Sequence, residues 1–327
     1  MQVIQNATKS PDLPYGAVAT IGNYDGLHRG QMKVVGRVVE RARELGVQAV
    51  VITFDPHPRA VLRPDEAPER LTLDRQRERV LEEAGVDAWL VVRFTQEFAR
   101  TDPEVFVRSF LHGVLALEEI WVGSDFAFGK GRSGNVELLQ RLGDELGFRA
   151  HGVEEALHRG EVISSTRIRQ AIREGEVGLA MDLLGRPYAL YGTVVRGDRM
   201  GMRLGWPTIN LHPENELPPC DGVYCARVHF PSMPATFDCV TNVGTRPTVY
   251  ESYHRVVESH ILGFSADVYG EKVEVSFYKR LREERMFPNV MDLSAQIGRD
   301  VEAAREYFAV RRRQGDLAPS TSTMDGV

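Results

Sequence analysis

Through the first half of the chain, short unbroken apolar runs alternate with stretches whose apolar residues recur at helical spacing. The runs are 17–21 (AVATI), 47–53 (VQAVVIT), 88–92 (AWLVV), 119–123 (EIWVG) and 148–153 (FRAHGV). Between the first two, Met32, Val34, Val35, Val38 and Val39 form one apolar helical face that ends near Gly46. Asp74 reads as the cap of a helix over 75–84 that stops at Gly85, and Asp102 with Pro103 opens another that turns Val105, Phe106 and Phe110 inward. A further helix covers 136–147. Near-continuous apolar strands separated by helices predict an α/β doubly wound parallel sheet, in which ligands collect outside the carboxyl ends of the strands. His28, the segment 55–58 and Asp125 all follow predicted strands, so they should share one rim.

Around Gly185 to Tyr188 the pattern changes. From Ala189 the helices drop out, and ALYGTVVRG, GVYCARVHF, ATFDCVTNV, RVVESHIL and EKVEVSFYKR follow as short strands with turn residues between them. Such strands predict a small antiparallel β-barrel. A closing helix comes next, with Leu293, Ile297, Val301, Ala304 and Phe308 on one face. From about Arg313 the tail is polar and built of small residues, which predicts disorder. The expected organisation is a first domain over 1–186, a second over 187–312 and a disordered tail over 313–327. No internal repeat is visible.

Composition narrows the class. With 327 residues, 43% of them apolar, and a mean hydropathy of -0.27, the chain has material for two cores. A net charge of -6 and a pI near 5.9 argue against a dedicated nucleic-acid partner. No apolar run is long enough to cross a bilayer and the first residues lack the build of a signal peptide, so a cytoplasmic protein is expected. Cys220, Cys225 and Cys239 are odd in number and have no CxxC spacing, which fits small core residues rather than disulfides or zinc. Self-association is not readable from these features.

Four places carry candidate chemistry. In 17–35 the first strand meets the first helix across Gly22, Asp25 and Gly26. Such a turn brings backbone N–H groups and the positive end of a helix dipole to one point, which suits phosphate. His28 stands at that mouth with a ring N–H to donate and Gly30 lets the helix backbone come close, although a purely structural turn fits the same residues. At 163–169, ISSTRIR offers Ser164 and Ser165 as helix caps and places Thr166 three residues before Arg169. It reads either as a capped surface helix or as a clamp for the outer phosphates of a triphosphate. The loop 196–210 has Gly197, Gly201 and Gly205, followed by Thr208 and Asn210 in strand alternation. Those glycines permit close approach to phosphates and those oxygens suit Mg2+, while an ordinary hairpin loop remains the plainer reading. Glu258 lies mid-strand among Val256, Val257, Ile261 and Leu262, as half of an ion pair with an arginine or as a general base for a hydroxyl.

Taken in order, GNYDGLHRG (22–30), TFDPHP (53–58), VGSDFAFGKGRSG (122–134), ISSTRIR, LGRPY (184–188), LGWPTIN (204–210), NVGTRPT (242–248) and VESHIL (257–262) resemble the bacterial bifunctional riboflavin kinase/FMN adenylyltransferases, or prokaryotic FAD synthetases. The resemblance covers nearly the whole ordered chain. It implies an N-terminal nucleotidyltransferase domain that moves AMP from ATP to FMN, giving FAD and pyrophosphate, and a C-terminal kinase barrel that phosphorylates riboflavin. By position it implies that His28 binds the ATP phosphates amid Gly22, Asp25, Gly30 and Gln31, that Asp125 lies in the nucleotide or flavin pocket, and that Ser164, Ser165, Thr166 and Arg169 hold the outer phosphates. In the barrel it implies Thr208 and Asn210 as ligands of Mg2+ and ATP beneath Gly197, Gly201 and Gly205, with Glu258 as base for the ribityl hydroxyl. Arg282 and Arg285, after the last strand, are further candidates. Riboflavin, FMN and ATP are the expected partners, without nucleic acid or membrane.

The sequence departs from the family pattern chiefly at Gln31, where the motif usually has a second histidine. Glutamine still donates a neutral hydrogen bond but cannot become cationic, and loss of one such donor is worth on the order of 3 kcal/mol of transition-state stabilisation. A kinase with a weakened first domain and a non-catalytic flavin-binding regulator therefore stand as alternatives. Smaller departures are Tyr24 and Trp206 in place of Phe, Ile209 in place of Ala, and Gly263 in place of Asp.

Overall fold

The structure, a computed structural model, describes residues 1–198, 200–233, 235–246 and 254–317, and it divides into one unit over Met1–Ser165 and a second from Thr166 onward. In the first unit six strands run parallel: β1 (Gln2–Gln5), β2 (Val18–Ile21), β3 (Ala49–Asp55), β4 (Ala88–Arg93), β5 (Glu119–Gly123) and β6 (Arg149–Val153). Their order is β1-β4-β3-β2-β5-β6. The apolar pattern does not show β1 because QVIQ is short and half polar; it adds to the sheet edge with Gln2 beside Ala88. The direction of winding reverses between β2 and β5.

Both faces of this sheet are covered. Val50, Ile52, Leu90 and Val92 enter one core, while Val51, Trp89 and Val91, the alternate positions of the same strands, enter another. The covering helices are α1 (Arg29–Leu45), α2 (Pro58–Leu62), α3 (Asp74–Glu83), α4 (Pro103–Phe106) and α5 (Val136–Leu146). Leu73 takes the cap position of α3 and Asp74 falls in its first turn. The Asp102 carboxylate caps α4 by accepting the N–H groups of Glu104 and Val105. α4 then widens into a π-helical turn over Val107–His112. Phe106 and Phe110 are buried as expected, whereas Val105 is 55% exposed, because it stands next to Phe106 on the first turn and points about 100° round the helix from it.

Glu119 at the foot of β5 is buried and accepts two hydrogen bonds from Arg41 of α1, at 2.7 and 3.1 Å, with a third from the Trp121 indole at 3.0 Å. The Arg41 guanidinium holds the Glu119 carboxyl below the usual carboxylate range. A short hairpin, β7 (Leu157–His158) and β8 (Glu161–Val162), leads out of the first unit.

The second unit opens with α6 (Ser165–Glu174) and α7 (Val177–Leu184). A closed barrel follows: β9 (Tyr188–Val195), β10 (Ile209–Pro213), β11 (Gly222–His229), β12 (Thr236–Arg246), β13 (His254–Ile261) and β14 (Lys272–Arg282), with the short α8 (Met200–Arg203) between β9 and β10. The order is β10-β13-β12-β11-β14-β9, antiparallel throughout, and α9 (Val290–Arg313) closes it with Val301, Ala304 and Phe308 buried. Cys225 and Cys239 are free and buried in this unit, their thiols pushed up to about 12 by burial.

Two packing contacts lie near the expected boundaries. α7 packs on β9 and β14, and Met181 lies against the core of Val223, Cys225, Tyr278 and Phe308, so the fold divides upstream of residue 186. At the other end Arg311 pairs with Asp316 at 3.3 Å and Leu317 packs on the same core, so order continues past Arg313. The rest of the expected disordered tail lies outside the described residues. A fragment beginning at Thr166 should therefore be more stable than one beginning at Pro187, by on the order of 3 kcal/mol or more for the loss of Val177, Leu183 and Leu184, buried on α7. Urea melts of the two fragments measure this directly, and equal stabilities would show that α7 adds nothing to the barrel.

Candidate functional site

In the first unit the strands themselves open a crevice. β2 pairs with β3 through all of Val18–Ile21, but with β5 only at Val18 and Ala19, so β2 and β5 part toward their carboxyl ends. That divergence at the reversal of strand order is where an α/β sheet takes a ligand. The chain leaving β2 is tightly held: the Gly22 N–H donates to the Ile52 carbonyl at 3.0 Å, and the Tyr24 ring folds back so closely that a Cβ at Gly22 would lie 3.1 Å from it. The Tyr24 hydroxyl is 2.5 Å from Thr20 Oγ1, a partner that phenylalanine would lack, and burial pushes its phenol up.

Asp25 acts as a brace. Its carboxylate accepts the Leu71 N–H at 3.0 and 3.1 Å and the Thr72 N–H at 3.3 Å, while its carbonyl accepts the Ser165 hydroxyl at 2.8 Å. A carboxylate so committed shapes the turn. His28 is the N-cap of α1 and is 7% exposed. Its Nδ1 accepts the Gln31 N–H at 3.3 Å, and Gln31 Oε1 accepts the His28 N–H at 3.2 Å, a closed capping box. With Nδ1 an acceptor, the neutral ring carries its proton on Nε2. The Gln31 backbone N–H, by donating to Nδ1, sets the tautomer of His28, while the Gln31 amide oxygen holds the His28 backbone N–H. Gly30 makes the pose possible, since a Cβ there would stand 3.2 Å from the imidazole.

The same rim carries Asp55 at the end of β3 and Asp125 two residues beyond β5, exposed and folded back over Gly123. It also carries aromatic residues that the sequence reading left aside. Phe54, Phe94 and Phe98 contact one another with centroids 5.6 to 5.9 Å apart, and Phe126 stacks on Phe128 at 5.4 Å. Phe54, Phe98 and Phe126 are only half-buried. Phe54 and Phe126 were visible in TFDP and FAF, at the end of one strand and just after another, whereas Phe94 and Phe98 lie in neither motif. In ISSTRIR, Ser164 precedes α6, Thr166 is exposed and Arg169 is buried, so the latter two differ in environment despite their helical spacing.

In the second unit the candidates converge on one rung of the barrel. Asn210 on β10 lies directly opposite Glu258 on β13, and Glu258 lies directly opposite Asn242 on β12. Directly paired residues of antiparallel strands project to the same face. Flanking positions Ile209, Leu211, Thr241, Val243, Val257 and Ser259 are buried in the barrel, so the three polar side chains stand on its outer face, half-buried. Glu258 is thus not a carboxylate sunk in a core.

Each glycine of the preceding loop has its own reason. A Cβ at Gly197 would lie 2.4 Å from Asn210 Nδ2; one at Gly201 would lie 2.3 Å from the Trp206 carbonyl and 3.2 Å from Thr208 Oγ1. Gly205 faces open space but has φ +81°, a conformation that favours glycine. Loop backbone therefore lies against Thr208 and Asn210. The Trp206 indole donates to Ser294 of α9 at 3.0 Å and meets His260 edge-on, while His260 Nδ1 is 2.8 Å from the Pro207 carbonyl. Arg282 is held by Asp300 through bonds of 2.9 to 3.2 Å, and with Arg285 it sandwiches Phe287, so both arginines anchor the start of α9. Pro247 and Thr248 of NVGTRPT lie outside the described residues.

The family model described as FAD synthetase matches residues 10–167, and the one described as riboflavin kinase matches 184–308. A bifunctional riboflavin kinase/FMN adenylyltransferase of Escherichia coli strain K12 is 38% identical over 309 residues, covering 94% of this chain and 97% of its own length. The chain belongs to the bifunctional riboflavin kinase/FMN adenylyltransferase family. A relative of that name from Haemophilus influenzae is 35% identical, covering 94% of this chain and 99% of its own. Among solved structures, one described as a macrolide-efflux protein from Streptococcus pneumoniae aligns with a TM-score of 0.85 and 29% identity over 93% of this chain and 99% of that one. Among the described residues no helix is long and apolar enough to cross a membrane.

The glycine contacts generate a specific expectation. Gly197→Ala should displace the Asn210 amide and lower riboflavin phosphorylation roughly tenfold or more, with little change in melting temperature. Gly205→Ala should instead cost about 1 kcal/mol of stability through its left-handed backbone. Steady-state phosphorylation assays beside thermal melts separate the two, and a fully active Gly197→Ala enzyme would remove Asn210 from the site.

Proposed function

We propose that the chain phosphorylates riboflavin with ATP on the barrel rung of Asn210 and Glu258, and adenylylates the resulting FMN to FAD at the turn between β2 and α1. The domains then divide by activity as 1–186 and 187–312. One observation carries the kinase half: Glu258 stands in register with Asn210, over which the Gly197 backbone is folded. A proton acceptor is thereby set beside a phosphate-binding loop.

At the barrel, the Glu258 carboxylate takes the proton of the terminal ribityl hydroxyl as that oxygen bonds to the γ-phosphorus of ATP, the bond from γ-phosphorus to the bridging oxygen breaks, and ADP leaves. Thr208 and Asn210 orient the phosphates. Mg2+ fits here as a nucleotide-borne ion, because Thr208 and Asn210 supply hard neutral oxygens with glycine backbone rather than side chains over them. Among the described residues no cluster of three or more His, Cys, Asp and Glu could hold a metal ion by itself, which suits a cation carried largely by phosphates. When bound, Mg2+ neutralises charge on the transferred group.

In the first unit the FMN phosphate attacks the α-phosphorus of ATP and pyrophosphate leaves. His28 donates from Nε2 and α1 adds its N-terminal N–H groups. The half-buried Phe54, Phe98 and Phe126 suit a flat isoalloxazine, with Asp125 at its polar edge. Ser164, Ser165, Thr166 and Arg169 are assigned to the outer phosphates by their motif alone. A cytoplasmic location fits the use of ATP in both steps. Since Gln31 serves the pose of His28, the kinase-only and non-catalytic readings gain no support from its presence.

Glu258→Gln keeps the shape of the side chain and removes its charge. It should lower riboflavin phosphorylation by about 100-fold or more, yet convert supplied FMN to FAD at the unmutated rate; normal kinase turnover would return Glu258 to a structural role. In the other half, His28→Ala should lower FMN adenylylation by roughly 100-fold or more, whereas Gln31→Ala, which releases the His28 backbone N–H but keeps the backbone bond to the ring, should lower it about tenfold. Equal, negligible effects of both changes in an FMN-to-FAD assay would sink the phosphate role of this turn.

A further inference from the structure

We propose that His260 is a positioning residue for riboflavin phosphorylation, holding the peptide between Pro207 and Thr208 so that Thr208 meets the phosphates of ATP, an inference that rests on the kinase reading above. The ladder between β10 and β13 pairs Leu211 with Val257, Asn210 with Glu258 and Ile209 with Ser259, and ends there. Its register would next set Thr208 opposite His260, but Pro207 has no N–H to donate to a continued ladder. A side chain takes over at that point. His260 lies two residues from Glu258, on the same outer face of β13, and its Nδ1 is 2.8 Å from the Pro207 carbonyl. A carbonyl oxygen only accepts, so Nδ1 carries a proton and donates.

That bond reaches Thr208 because a planar peptide moves as one body. Fixing the Pro207 carbonyl fixes the plane that carries the Thr208 N–H, and with it the direction in which the Thr208 side chain leaves the backbone. The residue before is fixed as well. The Trp206 N–H donates to the Gly201 carbonyl at 2.8 Å, its indole donates to Ser294 at 3.0 Å, and its ring lies 5.4 Å from that of His260 at 88°. Gly298, one turn beyond Ser294 on α9, lies against the indole, where a Cβ would stand 3.5 Å from the ring. The segment 206–208 is thus held by its own loop at Gly201, by α9 at Ser294 and by β13 at His260. Thr208 Oγ1 is the group that this holding serves, since a Cβ at Gly201 would come within 3.2 Å of it. A half-buried imidazole gains little stability from one bond to a carbonyl. Placement of a phosphate ligand is the stronger reason, because an error of about 1 Å in a positioned group costs up to about 100-fold in rate.

The test uses the full chain and two replacements that separate the bond from the ring. His260→Asn puts an amide N–H close to the place of Nδ1 and loses the ring, whereas His260→Phe keeps a ring beside Trp206 and loses the donor. In steady-state riboflavin phosphorylation His260→Phe should raise the KM for ATP about tenfold and leave the KM for riboflavin within about twofold, while His260→Asn should keep the KM for ATP within about threefold of the unmutated value. Adenylylation of supplied FMN should not change. Equal losses in the two variants would assign the effect to ring packing; an unchanged KM for ATP in His260→Phe, or a matching rise in the KM for riboflavin, would overturn the assignment as well. If His260→Phe does not fold, His260→Ala beside His260→Asn carries the same comparison. Thr208→Ala measured in parallel distinguishes the levels. Adding His260→Phe to it should change the KM for ATP by no more than about twofold, because the imidazole acts through Thr208. Multiplied effects reject only the role of His260, and a Thr208→Ala enzyme with an unchanged KM for ATP rejects the place of Thr208 in the kinase reading beneath it.

Discussion

The register of β13 in the barrel is the constraint on which the proposed kinase site depends. Thr241 and Ser259 are fully buried and share a 2.8 Å hydrogen bond between directly paired positions. A slip of one residue would turn those hydroxyls outward and drive Glu258 into the core, where a carboxylate without compensation costs several kcal/mol. The buried hydroxyl pair and the valines at 243 and 257 therefore hold Glu258 outside, between Asn210 and Asn242. The order Asn210, Glu258, Asn242 across three strands follows from that one pairing.

In the first unit the comparable constraint lies at the foot of the crevice rather than in its mouth. Arg41 joins α1 to Glu119 of β5, while at the other end of α1 the capping box holds His28. One helix thus ties the strand on the far side of the crevice to the imidazole at its opening. The two proposed phosphate sites use different backbone devices: a capped helix N-terminus in one unit and a glycine loop over a strand in the other.

Much of this was legible in the sequence, for identifiable reasons. Five of the six parallel strands announce themselves because burial on both faces demands nearly continuous apolar residues, and the barrel strands because turn residues punctuate them. β1 was silent, since a four-residue edge strand needs few apolar positions. His28, Thr208, Asn210 and Glu258 were legible as residue types at motif spacing, and the family follows from those motifs in order.

Tertiary structure decided what each residue faces. The Asp25 and Gln31 side chains accept backbone N–H groups that only the folded turn brings to them, those of Leu71 and Thr72 to one and that of His28 to the other. Arg282 and Arg285 follow the last strand as expected, but Asp300, Gln296 and Phe287, supplied by α9 and the loop before it, claim them. Asn242 gave no sign of itself, since its neighbour Glu258 is sixteen residues away along the chain and directly opposite only through strand pairing. Periodicity and composition are local properties that a sequence determines by itself. Register, and with it the choice of partner for every polar group on the barrel surface, depends on non-local pairing that exists only once the strands have met.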